Sequence, residues 1–152
     1  MEVFPEAFTI TNEVAPTTLE GAQFSVPFCV ALAALRGPNA FRPLQIESLR
    51  DPEVLTLAGR VEMISGEEFR GSFPAATPSR VRLTQGGKEV LATVIHPLGD
   101  VANPMSWDQV EEKFHDLARA IPGVAPAAVI AACRALAHGD LDASGLRSAL
   151  AG

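Results

Sequence analysis

The chain has 152 residues, 47% of them hydrophobic and 20% charged, and its formal net charge is −6. This composition is typical of a globular protein large enough to bury a core without disulfides. Arg and Lys occur singly rather than in runs, which disfavours binding to nucleic acid and to an anionic membrane surface. The totals therefore predict one domain over residues 1–152, with no nucleic acid and no membrane among its partners.

The first residues, MEVFPEAF, lack the basic and apolar regions of a secretory signal. No apolar run reaches the roughly 20 residues that a bilayer span requires. Cys29 and Cys133 lie far apart within apolar helical patterns, where unpaired thiols are usually packed. These features predict a cytoplasmic protein with two reduced cysteines.

The first third of the chain predicts a strand followed by an apolar helix. Residues 7–14, AFTITNEV, alternate apolar and polar side chains, which is typical of a strand. The stretch from Val26 to Leu35 carries no charge and is apolar around most of a helix, so we expect it to be buried on most sides. Because Pro27 lacks an amide donor, the helix either begins near Ser25 or bends there.

The rest of the chain contains clear turn and capping signals. Residues 46–66 predict two short helices separated at Asp51-Pro52 and then a strand. Gly86-Gly87 predicts a two-residue hairpin turn, and Ser106 begins a capping box before a helix. Helices follow from residue 126 onward. The predicted fold class is α+β, a small antiparallel sheet with helices packed on one face and a helical C-terminus.

Residue chemistry alone identifies no reaction. The histidines His96, His115 and His138 are not spaced as zinc ligands. Cys29 lies in an apolar setting that raises the pKa of a thiol and lowers its reactivity. No glycine-rich nucleotide motif is present. We therefore expect no metal and no cofactor, and the catalytic residues are unknown at this point.

Four segments together resemble one protein family. They are AQFSVPFCVALAALRG, DPEVLTLAGRV, PSRVRLTQGGKEV and GDVANPMSWDQVEEKFHDLA. In this order and spacing they resemble the C-terminal region of the MmgE/PrpD family, which includes 2-methylcitrate dehydratase, cis-aconitate decarboxylase and iminodisuccinate epimerase. The resemblance covers nearly the whole chain.

The resemblance implies a lid-like α+β domain that is paired with a separate helical domain, with the site in the cleft between the two. That helical domain, or the segment leading into the lid, carries most catalytic groups of the family. A motif like AQFSxPYxVA also implies a site tyrosine in the lid. Phe28 occupies that position here, and the chain contains no tyrosine, so the phenol that could donate a proton is absent.

Two functional hypotheses follow from different classes. In the first, the chain is a lid subunit in a homo- or hetero-oligomer, and a helical-domain partner protein supplies the catalytic groups. The pocket then holds a small carboxylic acid, and Phe24, Ser25 and Phe28 contact it. The residues 24–35 and the Pro/Gly loop at 71–79 are candidates for the closing face, although a central core helix has the same pattern.

In the second hypothesis, the chain is a stand-alone, non-catalytic protein that binds a small carboxylic acid or an apolar metabolite, with its pocket near Phe24 and Phe28. A variant of this hypothesis recruits the domain to a new reaction in a specialised biosynthetic pathway, using His96, Asp108 or His115. Nothing in the spacing of those three residues recommends a particular chemistry.

Overall fold

The computed structural model describes residues 1–119, 121–140 and 142–151. Residues 1–104 and residues 105–152 form two compact units. That the whole chain makes one domain stays a prediction. The strands and α-helices of the first unit are β1 (Glu2–Val3), α1 (Leu19–Gln23), α2 (Val26–Arg36), α3 (Pro52–Ala58), β2 (Ile64–Ser65), β3 (Ser79–Gln85) and β4 (Lys88–Val94), and short 3-10 helices cover Pro5–Thr9, Pro38–Ala40, Ile46–Arg50 and Glu67–Phe69.

The four strands form one sheet in the order β2-β1-β3-β4. β3 and β4 form an antiparallel hairpin, and Gly86 and Gly87 form its turn, both with a positive φ.

 The two φ values are 57° for Gly86 and 77° for Gly87, which confirms the predicted hairpin turn. β1 pairs antiparallel with β3 and parallel with β2. The α+β class is confirmed, and the sheet is mixed, since β1 and β2 are joined by a long connection that includes helices.

The strand predicted at residues 7–14 is wrong. Pro5–Thr9 forms a 3-10 helix instead, and the Thr9 hydroxyl donates to the Glu6 carbonyl at 2.7 Å. Asn12 has a φ of 50°, which a strand does not accommodate. Local hydrogen bonding and a left-handed residue therefore override the alternating pattern.

The core of the first unit lies around α2 and α3. Asp51 caps α3 by accepting from the Glu53 and Val54 amides at 3.0 and 3.3 Å. This confirms that the two short helices separate at Asp51-Pro52. The buried cluster consists of Ala22, Phe28, Ala31, Leu32, Leu49, Val54 and Ala58.

The second unit contains α4 (Trp107–Ala118), α5 (Pro126–His138) and α6 (Ala143–Ala151), which confirms the helical C-terminus. The Ser106 hydroxyl and the Gln109 side chain form the predicted capping box at the start of α4. Gly139, with a φ of 80°, ends α5 in the left-handed region. Within the described part of the chain, every helix is too short or too polar to cross a membrane.

Candidate functional site

Ser25 lies at the amino end of α2 and caps it. Its hydroxyl accepts from the Phe28 amide at 3.2 Å and donates to the Glu13 carbonyl at 2.6 Å. The side chain is fully buried, with 0% exposure. Because Ser25 is the cap and Pro27 lies in the first helical turn, the helix begins directly after Ser25 and does not bend there.

Asn12 ties the preceding segment to this helix start. Its side-chain oxygen accepts from the Val26 amide at 3.0 Å, and its side-chain nitrogen donates to the Ala7 and Ile10 carbonyls at 2.8 and 3.2 Å. Its own amide donates to the Phe24 carbonyl at 3.2 Å. Asparagine tolerates the positive φ observed here. One side chain therefore fixes the loop between α1 and α2 against residues 7–13.

The amino end of α2 has no free amide for an anion. The Val26 amide binds Asn12, the Phe28 amide binds Ser25, and Pro27 has no amide hydrogen. A helix end attracts a carboxylate through unpaired amides, and here those amides are already paired. A small acid near this loop would have to be held by other groups.

The three predicted substrate-binding residues lie next to one another but differ in exposure. Ser25 and Phe28 are 0% exposed, whereas Phe24 is 50% exposed. Phe28 belongs to the core cluster that also contains Leu32 and Val54. Phe24 alone of the three offers a side-chain surface, and the binding roles of all three stay predictions. The sequence did not identify Asn12 as a residue that fixes this loop. The available signal is its residue type, because asparagine tolerates a positive φ and here stands shortly before a capped helix.

The expectation that α2 is buried on most sides is wrong. One face is buried in the core, but the opposite face and the carboxyl-terminal turn are half-buried or exposed, although they are also apolar. Leu35 is 39% exposed. The buried residues are Pro27, Phe28, Ala31 and Leu32, the half-buried ones are Val26, Cys29 and Val30, and the exposed ones are Ala33, Ala34 and Leu35.

Cys29 lies on the half-buried face of α2. Burial raises the pKa of its thiol, and the sulfur lies 3.3 Å from the Ala22 carbonyl oxygen, to which it donates. A raised pKa lowers the fraction of reactive thiolate. Cys29 therefore suits packing rather than nucleophilic catalysis. Cys133 is exposed, and both cysteines are free thiols.

The carboxyl end of α2 carries a polar cluster. The Arg36 guanidinium binds the Asp51 carboxylate at 2.7 Å and the Glu53 carboxylate at 2.6 Å. Arg36 and Asp51 line a surface pocket of about 540 Å³, together with Arg42 and Glu47. Two positive and two negative side chains balance in this lining, so the pocket has no net preference for an anionic ligand.

Comparison with models of protein families identifies the family of this chain. The family model described as the MmgE/PrpD C-terminal domain matches residues 1–138. The chain belongs to the MmgE/PrpD family. A search of curated proteins gave no significant match. The match confirms the resemblance of the four sequence segments, and it covers the first unit together with α4 and α5.

This MmgE/PrpD chain has a core phenylalanine where the resemblance implies a site tyrosine. Phe28 is fully buried, and the sequence contains no tyrosine at any position. Among the described residues, no group of three or more His, Cys, Asp or Glu side chains is arranged to hold a metal ion. In the first unit, the half-exposed Phe24 therefore lies beside a helix, α2, whose exposed residues are also mainly apolar.

The second unit of the MmgE/PrpD chain contains an apolar groove between α4 and α5. Its volume is about 610 Å³. Trp107 is 80% exposed and Val110 is 40% exposed at this groove. Arg134 donates two hydrogen bonds of 2.6 Å to the Glu111 carboxylate at its side. The remaining lining residues are Phe114, Val129, Ile130, Cys133, Ala137 and His138.

Proposed function

We propose that this chain acts as the lid of an MmgE/PrpD-type enzyme. In this proposal, residues 1–104 close over a small carboxylic acid, and a helical domain on a partner chain supplies the catalytic groups. The observation that carries the proposal is that α2 is apolar on both faces but buries only one. An uncovered apolar helix face on a domain of this family is the kind of surface that a closing domain presents to another.

The role of the lid in this proposal is to enclose the substrate and to exclude water from the reaction. The chemistry implied by the family is proton abstraction beside a carboxylate, followed by elimination, decarboxylation or epimerisation. Excluding water strengthens the electrostatic interactions between the acid and the catalytic groups. In this proposal Phe24 contacts the substrate. Ser25 and Phe28 position α2, Ser25 by capping it and Phe28 by packing in the core.

Turnover by a separate helical-domain MmgE/PrpD protein, measured with and without this chain, tests the proposal. Adding the chain should raise the rate. Phe24→Ala should reduce that gain by about 10- to 100-fold, the usual range for losing a well-fitted apolar contact. Trp107→Ala is a control, because Trp107 is more exposed than Phe24 but lies in the second unit. Equal rates with and without the chain would exclude the lid role.

A second candidate function is binding of a small apolar metabolite in the groove between α4 and α5. The groove volume of about 610 Å³ lies within the range of small-molecule sites, and its lining is mainly apolar. Trp107 is the single tryptophan of the chain, so its fluorescence reports on occupancy. An apolar naphthalene probe should quench this emission and raise the melting temperature, and Val110→Glu should abolish both effects. No change in either signal would reject this candidate.

A further inference from the structure

The β3–β4 hairpin leaves one long strand edge unpaired. β4 is the last strand in the sheet order, and all seven of its residues are exposed. Its pairing with β3 is continuous from Lys88 to Val94, without a bulge, and its sequence contains no proline. Natural edge strands are normally protected by a bulge, a proline, charged side chains or a cover. Of these, β4 carries only the charged side chains of its first two residues, Lys88 and Glu89. The outer edge of β4 is therefore suited to pairing with another strand.

The hairpin turn determines which backbone groups lie on that edge. Gln85 and Lys88 are the residue pair that closes the two-glycine turn, and a closing pair of this kind exchanges backbone hydrogen bonds. Bonded and non-bonded pairs then alternate along the hairpin. The amides and carbonyls of Glu89, Leu91 and Thr93 consequently point away from β3, toward the open edge.

We propose that a second copy of this chain pairs with this edge, with the two β4 strands antiparallel and a two-fold axis at Leu91. In this register the Leu91 amide of each copy bonds the Leu91 carbonyl of the other. Glu89 of each copy exchanges hydrogen bonds with Thr93 of the other. A closed dimer requires such a self-complementary, two-fold contact.

Side-chain charges favour this register over its alternatives. It places Lys88 opposite Val94 and Glu89 opposite Thr93, so no like charges face each other. An antiparallel pairing centred on Glu89 would instead oppose two carboxylates and shorten the contact. A parallel pairing would align Lys88 with Lys88 and Glu89 with Glu89. Like charges opposite each other in neighbouring strands are destabilising.

The two faces of the hairpin remain distinct in the paired sheet. The register places Val81, Leu83 and Val90 on one face, and Arg80 and Arg82 on the other. A two-fold axis perpendicular to the sheet keeps each face on its own side, so the apolar faces of both copies become continuous. Pairing through one strand buries less than a standard interface, so we expect a monomer–dimer equilibrium in the micromolar range.

Sedimentation velocity of the full chain from about 5 to about 200 µM tests this proposal, because that range brackets a micromolar dissociation constant. The wild type should shift from monomer to dimer. Leu91→Glu should remain monomeric, because two carboxylates would meet at the axis. Within the hairpin the new carboxylate lies opposite Arg82, so the monomer fold should persist, which far-UV circular dichroism verifies.

Leu83→Glu is the matched control. Leu83 is 54% exposed and Leu91 is 52% exposed, but Leu83 lies on β3, away from the open edge, so its variant should still dimerise. A wild type that stays monomeric throughout the range would overturn the proposal. So would a dimer that Leu83→Glu dissociates and Leu91→Glu leaves intact, because that result would assign the contact to the apolar face.

Hydrogen exchange provides a second, residue-level measurement. In the dimer the amides of Glu89, Leu91 and Thr93 should be protected, and Leu91→Glu should remove that protection. The amides of Val90 and Ala92 bond to β3 and should be protected in both proteins. Fast exchange at Glu89, Leu91 and Thr93 in a dimeric wild type would refute pairing through this edge.

Discussion

Phe28→Tyr restores the residue that the family resemblance implies, and the structure predicts that the restored hydroxyl is destabilising. The Phe28 ring is 0% exposed and packs in the core cluster with Leu32 and Val54. The substitution adds one oxygen to a site that is surrounded by apolar side chains. It therefore tests whether this position faces a core or a ligand site.

The expected cost combines two effects. A buried hydroxyl without a hydrogen-bond partner costs about 1–3 kcal/mol in mutational data. Adding an atom to a packed core costs about 1–3 kcal/mol through strain. Since the core can relax partly around one oxygen, we expect a loss of about 2–4 kcal/mol, a large part of the roughly 5–15 kcal/mol that stabilises a typical domain.

Urea unfolding followed by circular dichroism measures this loss, as a lower midpoint at an unchanged slope. Phe24→Tyr is the matched control. Its ring is 50% exposed, so its hydroxyl can reach water and the change should stay within about 0.5 kcal/mol. If Phe28→Tyr is as stable as the wild type, the para position meets open space or a polar partner, and the assignment of Phe28 to the core is wrong.

Three further predictions concern the Ser25 cap, the stability of the fold at acidic pH and the reactivity of the two thiols. Ser25→Ala should lower the unfolding free energy by about 1–2 kcal/mol in urea titrations, because it removes the buried cap of α2. Burial alone would raise the pKa of Asp51, but the Arg36 guanidinium and two backbone amides hold that pKa below its ordinary value. The Asp51 carboxylate therefore stabilises the fold above its ordinary pKa, and this stabilisation is lost as the pH falls through the lowered pKa. Asp51→Asn lacks this titrating group, so below about pH 4 its unfolding free energy should fall less steeply with decreasing pH than that of the wild type. At neutral pH a thiol reagent should modify the exposed Cys133 well before Cys29, as peptide mapping by mass spectrometry would show.

Each of these predictions has a contrary outcome. An unchanged urea midpoint for Ser25→Ala would mean that the cap contributes nothing. Parallel acid-unfolding curves for the wild type and Asp51→Asn would remove Asp51 from the acid transition. Equal modification rates at Cys29 and Cys133 would contradict the burial of the Cys29 thiol.

The features that sequence predicted correctly depend on a few neighbouring residues. The two-glycine turn, the capping box at Ser106 and the break at Asp51-Pro52 are all found where the sequence places them. Each is specified by local backbone preference or by one side chain bonding a nearby amide. The strand prediction at residues 7–14 failed because period-two spacing reveals neither the local bond from Thr9 to Glu6 nor the bond between Asn12 and Val26 farther along the chain.

By itself, the sequence determined the α+β class and the MmgE/PrpD membership, because four motifs in register and the local capping and turn signals require no three-dimensional context. Only the tertiary structure decided which side of α2 is buried, that Ser25 and Phe28 are enclosed while Phe24 is half exposed, and that β4 has an open edge. The physical reason is that periodicity records how apolar a face is, whereas burial depends on which other elements pack against it. A helix that is apolar all round carries no information about which of its faces is covered.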